Sequence, residues 1–202
     1  MTKTQNNKML VSIAFALIMM LGAFVIMEVG GSDDSHAADT IGTVYECSTV
    51  DELQTAIDAA NVDDDIDKIV IKADMELKTT LRITKPLILT TDCGATLKPA
   101  SDFIPGQVLE DGKMVTKNCL IHVDGHNSSD IGRPGSIGKL KIGEEVTTDP
   151  DNIITLDGGN RFKVVYCEMR GSPAGPWQTL VLNAGIITNG SSTSGAGLHL
   201  LN

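Results

Sequence analysis

Two aspartates stand where chemistry would have to start. Asp124 closes the run Ile121-His122-Val123, Asp157 closes Ile154-Thr155-Leu156, and a glycine follows each. If the two runs are equivalent stacked strands, the carboxylates also stack, and paired oxygens suit a hard cation such as calcium. The plainer reading is an Asp-Gly turn element. Asn183 favours it, since the next comparable position keeps the turn and drops the charge. Asp63, Asp64, Asp65 and Asp67 offer a second calcium reading. No spaced glycine and distal glutamate of an EF-hand follow them, so a solvated acidic turn fits better. His122 and His126 are four apart. The first reads as an outward strand residue and the second as a loop residue, and without a third ligand both read as surface histidines. There is no CxxC, G-x-S-x-G, P-loop or Rossmann fingerprint.

The elements that would position these residues are short strands. Ile121 to Gly125, Ile154 to Gly158 and Leu180 to Asn183 share one shape: apolar residues at alternate positions, then Asp or Asn, then a small residue. Leu89 to Asp92 and Ile71 to Asp74 are weaker copies, and the closing positions 74, 92, 124, 157 and 183 are 18, 32, 33 and 26 residues apart. Similar strands with variable insertions predict a solenoid, because insertions then fall on the outside of each coil. On that register Leu89, Ile121, Val123, Ile154, Leu156, Leu180 and Leu182 point inward and stack, while His122 and Thr155 point outward. Further strands are expected at 43–47, 68–73, 81–84, 87–91, 95–98, 137–142, 162–168 and 198–200. Val108 to Val115 reads as a hairpin turning at Asp111-Gly112 and projecting from the coil. Residues 126–138 and 144–151 are polar insertions with prolines 134 and 150.

One helix is expected, at 48–61. Thr49 with Glu52 forms a capping-box pattern, and Val50, Leu53, Ala56, Ile57 and Ala60 share a face. Such a helix would cover the exposed edges and apolar interior of a first coil.

The segment Leu180 to Leu200, with its strand, Asn-Gly and Ser/Thr/Gly turns, resembles right-handed parallel β-helix repeat proteins of the pectin-lyase-like superfamily. The likeness is greatest to the adhesin-like, polymorphic-surface-protein branch and extends over about 43–202. It implies an all-β fold: a right-handed parallel β-helix (solenoid) with an N-terminal amphipathic capping helix, preceded by a hydrophobic leader helix. The expected layout is a leader at 1–38 and a β-helix domain at 39–202, with capping strand and helix at 43–61, coils at 68–202 and an incomplete last coil. In lyases of that superfamily stacked carboxylates hold calcium and a nearby basic residue takes a proton from the sugar. The resemblance therefore implies Asp124 and Asp157 as calcium ligands and Arg133 or Arg161 as the base. The lyase arginine pattern itself is absent, since Arg133-Pro134 has the wrong order.

Lys3 and Lys8 precede an apolar run from Met9 to Met27. This is a signal peptide cleaved after Ala37 or a membrane anchor, and either exports the remainder to the cell surface or medium. The whole chain carries −10, and residues past 38 still carry about −9, which argues against nucleic acid as a partner. Cys47, Cys93, Cys119 and Cys167 allow up to two disulfides in an exported chain, or serve as buried thiols. Two sequons, at Asn127 and Asn189, fall in turns. Aromatic platforms of the kind that hold sugars are scarce past the leader: Tyr45, Phe103, Phe162, Tyr166 and Trp177, the last read as packing over a coil.

The expectation is an exported adhesin-like protein, structural or binding rather than catalytic and needing no cofactor. Its partners would be the membrane through an uncleaved leader, a carbohydrate or cell-surface ligand, and another copy added at the last coil. A calcium-dependent polysaccharide lyase or glycoside hydrolase, and a truncated piece of a larger surface protein, are the alternatives.

Overall fold

The computed structural model describes residues 43–126, 136–170, 180–193 and 197–201. The segment expected to be a leader, Arg133, the Asn127 sequon and Trp177 lie outside them. The chain begins with β1 (Thr43–Cys47) and helix α1 (Val50–Ala60), then passes through β2 (Ile66–Ile71), β3 (Met75–Thr79) and β4 (Leu81–Ile83). A second passage follows: β5 (Pro86–Thr91), β6 (Thr96–Ile104), a hairpin of β7 (Gly106–Glu110) and β8 (Lys113–Lys117), and β9 (Cys119–His126). After the short β10 (Ser136–Ile137) come β11 (Lys139–Ile142), a 3₁₀ turn at Pro150–Asn152, β12 (Ile154–Asp157) and β13 (Lys163–Arg170). The last passage is β14 (Leu180–Leu182), β15 (Gly185–Thr188) and β16 (Leu198–Leu201).

The protein is mostly β, and its main sheets are parallel. The first has the order β1-β2-β5-β11-β14, the second β3-β6-β12-β15, and the third joins β4, β9, β13 and β16. β10 joins the third sheet antiparallel to β9, and β7 pairs with β8 antiparallel. Each passage thus visits the three sheets in the same sequence, and each strand lies beside its counterpart from the previous passage.

Register stacks like on like. Leu89 pairs with Ile142, and Ile142 with Leu182. Leu97, Leu156 and Ile187 form a column in the second sheet. Ile83, Val123 and Cys167 form one in the third. Leu89, Leu97, Ile121, Val123, Ile142, Ile154 and Leu156 are fully buried, each worth about 1.5–3 kcal/mol relative to exposure. Thr155, between two of them, is half-buried, as strand alternation requires. Leu182 keeps its place in its column but is 44% exposed, because β14 is the outermost strand of its sheet.

Helix α1 forms where its capping box and apolar face predict. The Thr49 hydroxyl accepts from the Glu52 backbone, and the Glu52 carboxylate accepts from the backbone of Ser48 and Thr49. Leu53, Ala56, Ile57 and Ala60 are buried, and the helix packs on β1 to β4.

Three expectations change. The five turn-marked strands are not equivalent. Asp92 and Asn183 follow first-sheet strands, Asp157 ends a second-sheet strand, Asp124 lies in a third-sheet strand, and Asp74 precedes β3. β3 itself lay hidden behind Asp74, although Met75-Glu76-Leu77-Lys78 alternates cleanly. All four cysteines are free thiols: Cys93 is exposed, while Cys47, Cys119 and Cys167 serve as small apolar core residues.

Candidate functional site

The outward face of the third sheet carries a charged cluster that is buried. Alternation sends Ile121 and Val123 inward and His122 outward, as expected, and because β9 runs on to His126 it sends Asp124 outward too, where the sequence reading had a turn residue. Yet His122 is 1% exposed and Asp124 fully buried, so the surface histidine of the sequence reading is corrected. On the neighbouring strand Tyr166 pairs with His122, and Glu168, fully buried, pairs with Asp124. Arg82 of β4 stands opposite His122 on the other side.

The cover is the β7–β8 hairpin. One face of it, with Val108, Glu110 and Lys117, is buried, and the other leaves Leu109 and Met114 exposed. It therefore lies down on the sheet instead of projecting freely. Its base is pinned at the corner between β3 and β4. The buried Thr80 hydroxyl accepts from the Gly106 backbone (2.9 Å) and donates to the Cys119 carbonyl (2.7 Å), with the Lys117 carbonyl at 3.2 Å.

Beneath the hairpin the charges interlock. The Lys117 ammonium contacts the Glu110 carboxylate and lies 3.1 Å from Glu168 Oε2. That same oxygen is 3.2 Å from His122 Nε2. Arg82 donates to Asp124 Oδ2 through Nη2 (2.6 Å) and Nε (2.9 Å). Two amines lie over the Tyr166 ring, Lys117 Nζ 4.9 Å and Lys163 Nζ 5.4 Å from its centre. Such cation–π contacts strengthen when desolvated.

Burial and pairing set the protonation states. Burial holds the His122 imidazole below its ordinary value, against the upward pull of the Glu168 hydrogen bond and the Asp124 charge. Burial opposes the charge on Glu168, but the His122 hydrogen bond and the Lys117 charge outweigh it and bring its carboxyl down to about 2. For Lys117, burial opposes the charge, and Glu110 and Glu168 more than restore it. Near neutral pH the cluster therefore contains an ionised glutamate, an ammonium and a neutral imidazole donating to the carboxylate.

His122, Asp124 and Glu168 each offer a ligand atom, and the three atoms lie within 4.8 Å of one another. One imidazole and two carboxylates form a nitrogen–oxygen donor set for a divalent cation.

The other candidates lie apart from this cluster. Asp157 Oδ1 accepts from the Gly159 backbone at 2.8 Å, which is an Asx turn, and its strand belongs to a different sheet from that of Asp124. The proposed stack of Asp124 and Asp157 is corrected accordingly. Arg161 donates to the Ala100 and Ser101 carbonyls and lies over the Phe162 ring, tying the turn before β13 to the middle of β6. In the acidic turn Asp63 accepts from the Asp65 backbone and Asp64 pairs with Lys85. Glu110, Lys117 and Glu168 went unremarked in the sequence. The available signal was polar residues at outward positions beside an insertion able to cover them.

A shallow groove of about 400 Å³ runs along the outward face of the first sheet, with Pro86, Ile88, Lys139, Lys141 and Val181 in its lining.

No family profile matches the chain, and no significant match is found among curated proteins or solved structures.

Proposed function

We propose that residues 39–202 form a right-handed parallel β-helix that acts as an exported, adhesin-like binding module, with no catalytic role. The observation that carries this reading is the cyclic order of the sheets: four successive passages through three parallel sheets, with like residues stacked between passages. A solenoid built this way presents broad, regular outer faces. The groove on the first sheet sets apolar Ile88 and Val181 beside Asp67, Lys139 and Lys141, a mixed lining that offers an extended surface ligand both apolar and charged contacts. Among the described residues β14, β15 and β16 are the outer strands of their sheets, and the proposal includes addition of a strand from a second copy there. The calcium-dependent lyase reading gains nothing from Asp124, Asp157 and Arg161: the two carboxylates stand on different sheets, and Arg161 lies in the turn between β12 and β13, bound to the Ala100 carbonyl.

The test uses a tagged full chain in its own host. Antibody labelling of intact cells, or tagged protein in the medium, is the expected result. Label seen only after lysis would sink the export reading. Release of unsaturated sugars from an acidic polysaccharide, abolished by Asp157→Ala, would overturn the non-catalytic assignment.

A further inference from the structure

We propose that His122, Asp124 and Glu168 form a binding site for one divalent transition-metal cation of the zinc class. This goes beyond the surface-binding reading and does not depend on it.

Strand geometry builds the site. His122 and Asp124 are two residues apart on β9 and share its outward face, and Glu168 is the direct cross-strand partner of Asp124. Three ligands thus come from two rigid, adjacent strands rather than from loops, which favours a preorganised site. All three side chains are buried to within 1%.

The donor set points to the class of cation. Calcium takes oxygen donors almost exclusively, whereas an imidazole nitrogen with two carboxylates suits zinc and its neighbours. Zinc-to-ligand bonds of about 2.0–2.2 Å put tetrahedral donors roughly 3.4 Å apart. The three donor atoms lie within 4.8 Å of one another, a wider spacing, so a bound cation would have to draw them together. The supporting contacts are also in place. Arg82 holds Asp124 through two nitrogens. Ligating carboxylates are characteristically fixed by such outer hydrogen bonds.

Lys117 is the rival. Its ammonium lies beside the same Glu168 oxygen that faces His122. Glu110, on the hairpin, is its second carboxylate. A metal entering between His122 and Glu168 would push Lys117 towards Glu110 without stranding it. The metal and the ammonium therefore compete for one carboxylate, and removing the ammonium should strengthen metal binding.

The experiment dialyses the full chain against zinc chloride or calcium chloride and counts bound metal by mass spectrometry. About one zinc per chain and no comparable calcium is expected. His122→Ala and Asp124→Asn should each weaken zinc binding at least about tenfold, and Lys117→Met should tighten it several-fold. Less than about a tenth of a zinc per chain in the unmodified protein would overturn the proposal, as would His122→Ala binding as tightly as the parent. If His122→Ala does not fold, cobalt(II) on the unmodified chain decides. An intense visible band from four-coordinate cobalt supports the site, and the spectrum of the aqueous ion refutes it.

Discussion

Replacing Lys117 with methionine keeps most of the side chain's bulk and removes its charge. Lys117 Nζ is 3.1 Å from Glu168 Oε2, and both side chains are nearly or fully buried, so solvent screening takes little from their interaction. At an effective dielectric constant of about 20, the attraction at that separation is about 5 kcal/mol. Desolvation of both groups offsets much of it, so the pair adds little net stability compared with an apolar pair of the same shape. Removing one member is a different matter. Lys117→Met leaves Glu110 and Glu168 buried with one cation fewer, and the expected loss is about 3–5 kcal/mol. Adding Glu168→Gln to the same chain should return part of that loss, with a coupling energy of roughly 1–3 kcal/mol. Urea unfolding followed by far-UV circular dichroism measures four chains: the parent, Lys117→Met, Glu168→Gln and the double variant. A loss below about 1 kcal/mol for Lys117→Met would refute the account, because a lysine that tolerates neutralisation is not held between buried carboxylates. Fully additive single losses would show that Lys117 and Glu168 do not interact.

Other perturbations test separate parts of the structure. Leu156→Ala, in the middle of a stacked column, should cost about 2–5 kcal/mol, while Thr155→Ala beside it should cost under about 1 kcal/mol; equal losses in chemical denaturation would refute the register. Burial pushes the thiols of Cys47, Cys119 and Cys167 up to about 12, so a maleimide at pH 8 should label Cys93 alone until denaturant is added, as read by intact mass. Gly138→Ala would drive a methyl group into the backbone oxygens of Ile83 and Asp124, and a loss of about 1–3 kcal/mol in thermal or urea unfolding is expected. The Glu52 carboxyl is lowered by hydrogen bonds from the Ser48 and Thr49 backbones, so its stabilising effect is complete above the ordinary carboxylate range and fades as the pH falls through its lowered value. The stability gap between the parent and Glu52→Gln should shrink on acidification, and a gap that does not change with pH would exclude the capping role.

The helix and the inward columns were legible because each rests on local pattern. Thr49 with Glu52 marks a helix start, and alternation of Ile154, Thr155 and Leu156 states which side is buried. The grouping of strands into sheets was not legible. A passage here contains three strands, and the turn-marked ones were drawn from all three sheets, so Asp124 and Asp157 looked equivalent when they are not. Insertions hid the true period, since the hairpin lengthens only one passage. The buried cluster was half visible. Alternation placed His122 outward correctly, but outward means exposed only when nothing lies on top. That Glu110 and Lys117 would come down over it depended on how the hairpin folds back, which no local pattern encodes.

The side chain of Thr80 has a consequence for how this chain can change. Both ends of the hairpin, Gly106 and Lys117, meet at its hydroxyl, so the chain leaves the second passage and returns to it at one doorway. What lies between the ends does not alter the gap they must bridge, and the entropy of closing a longer loop rises only slowly with its length. The doorway is therefore a natural grafting point: a longer excursion, or a foreign peptide spliced at Asp111-Gly112, would leave the stacked columns where they are.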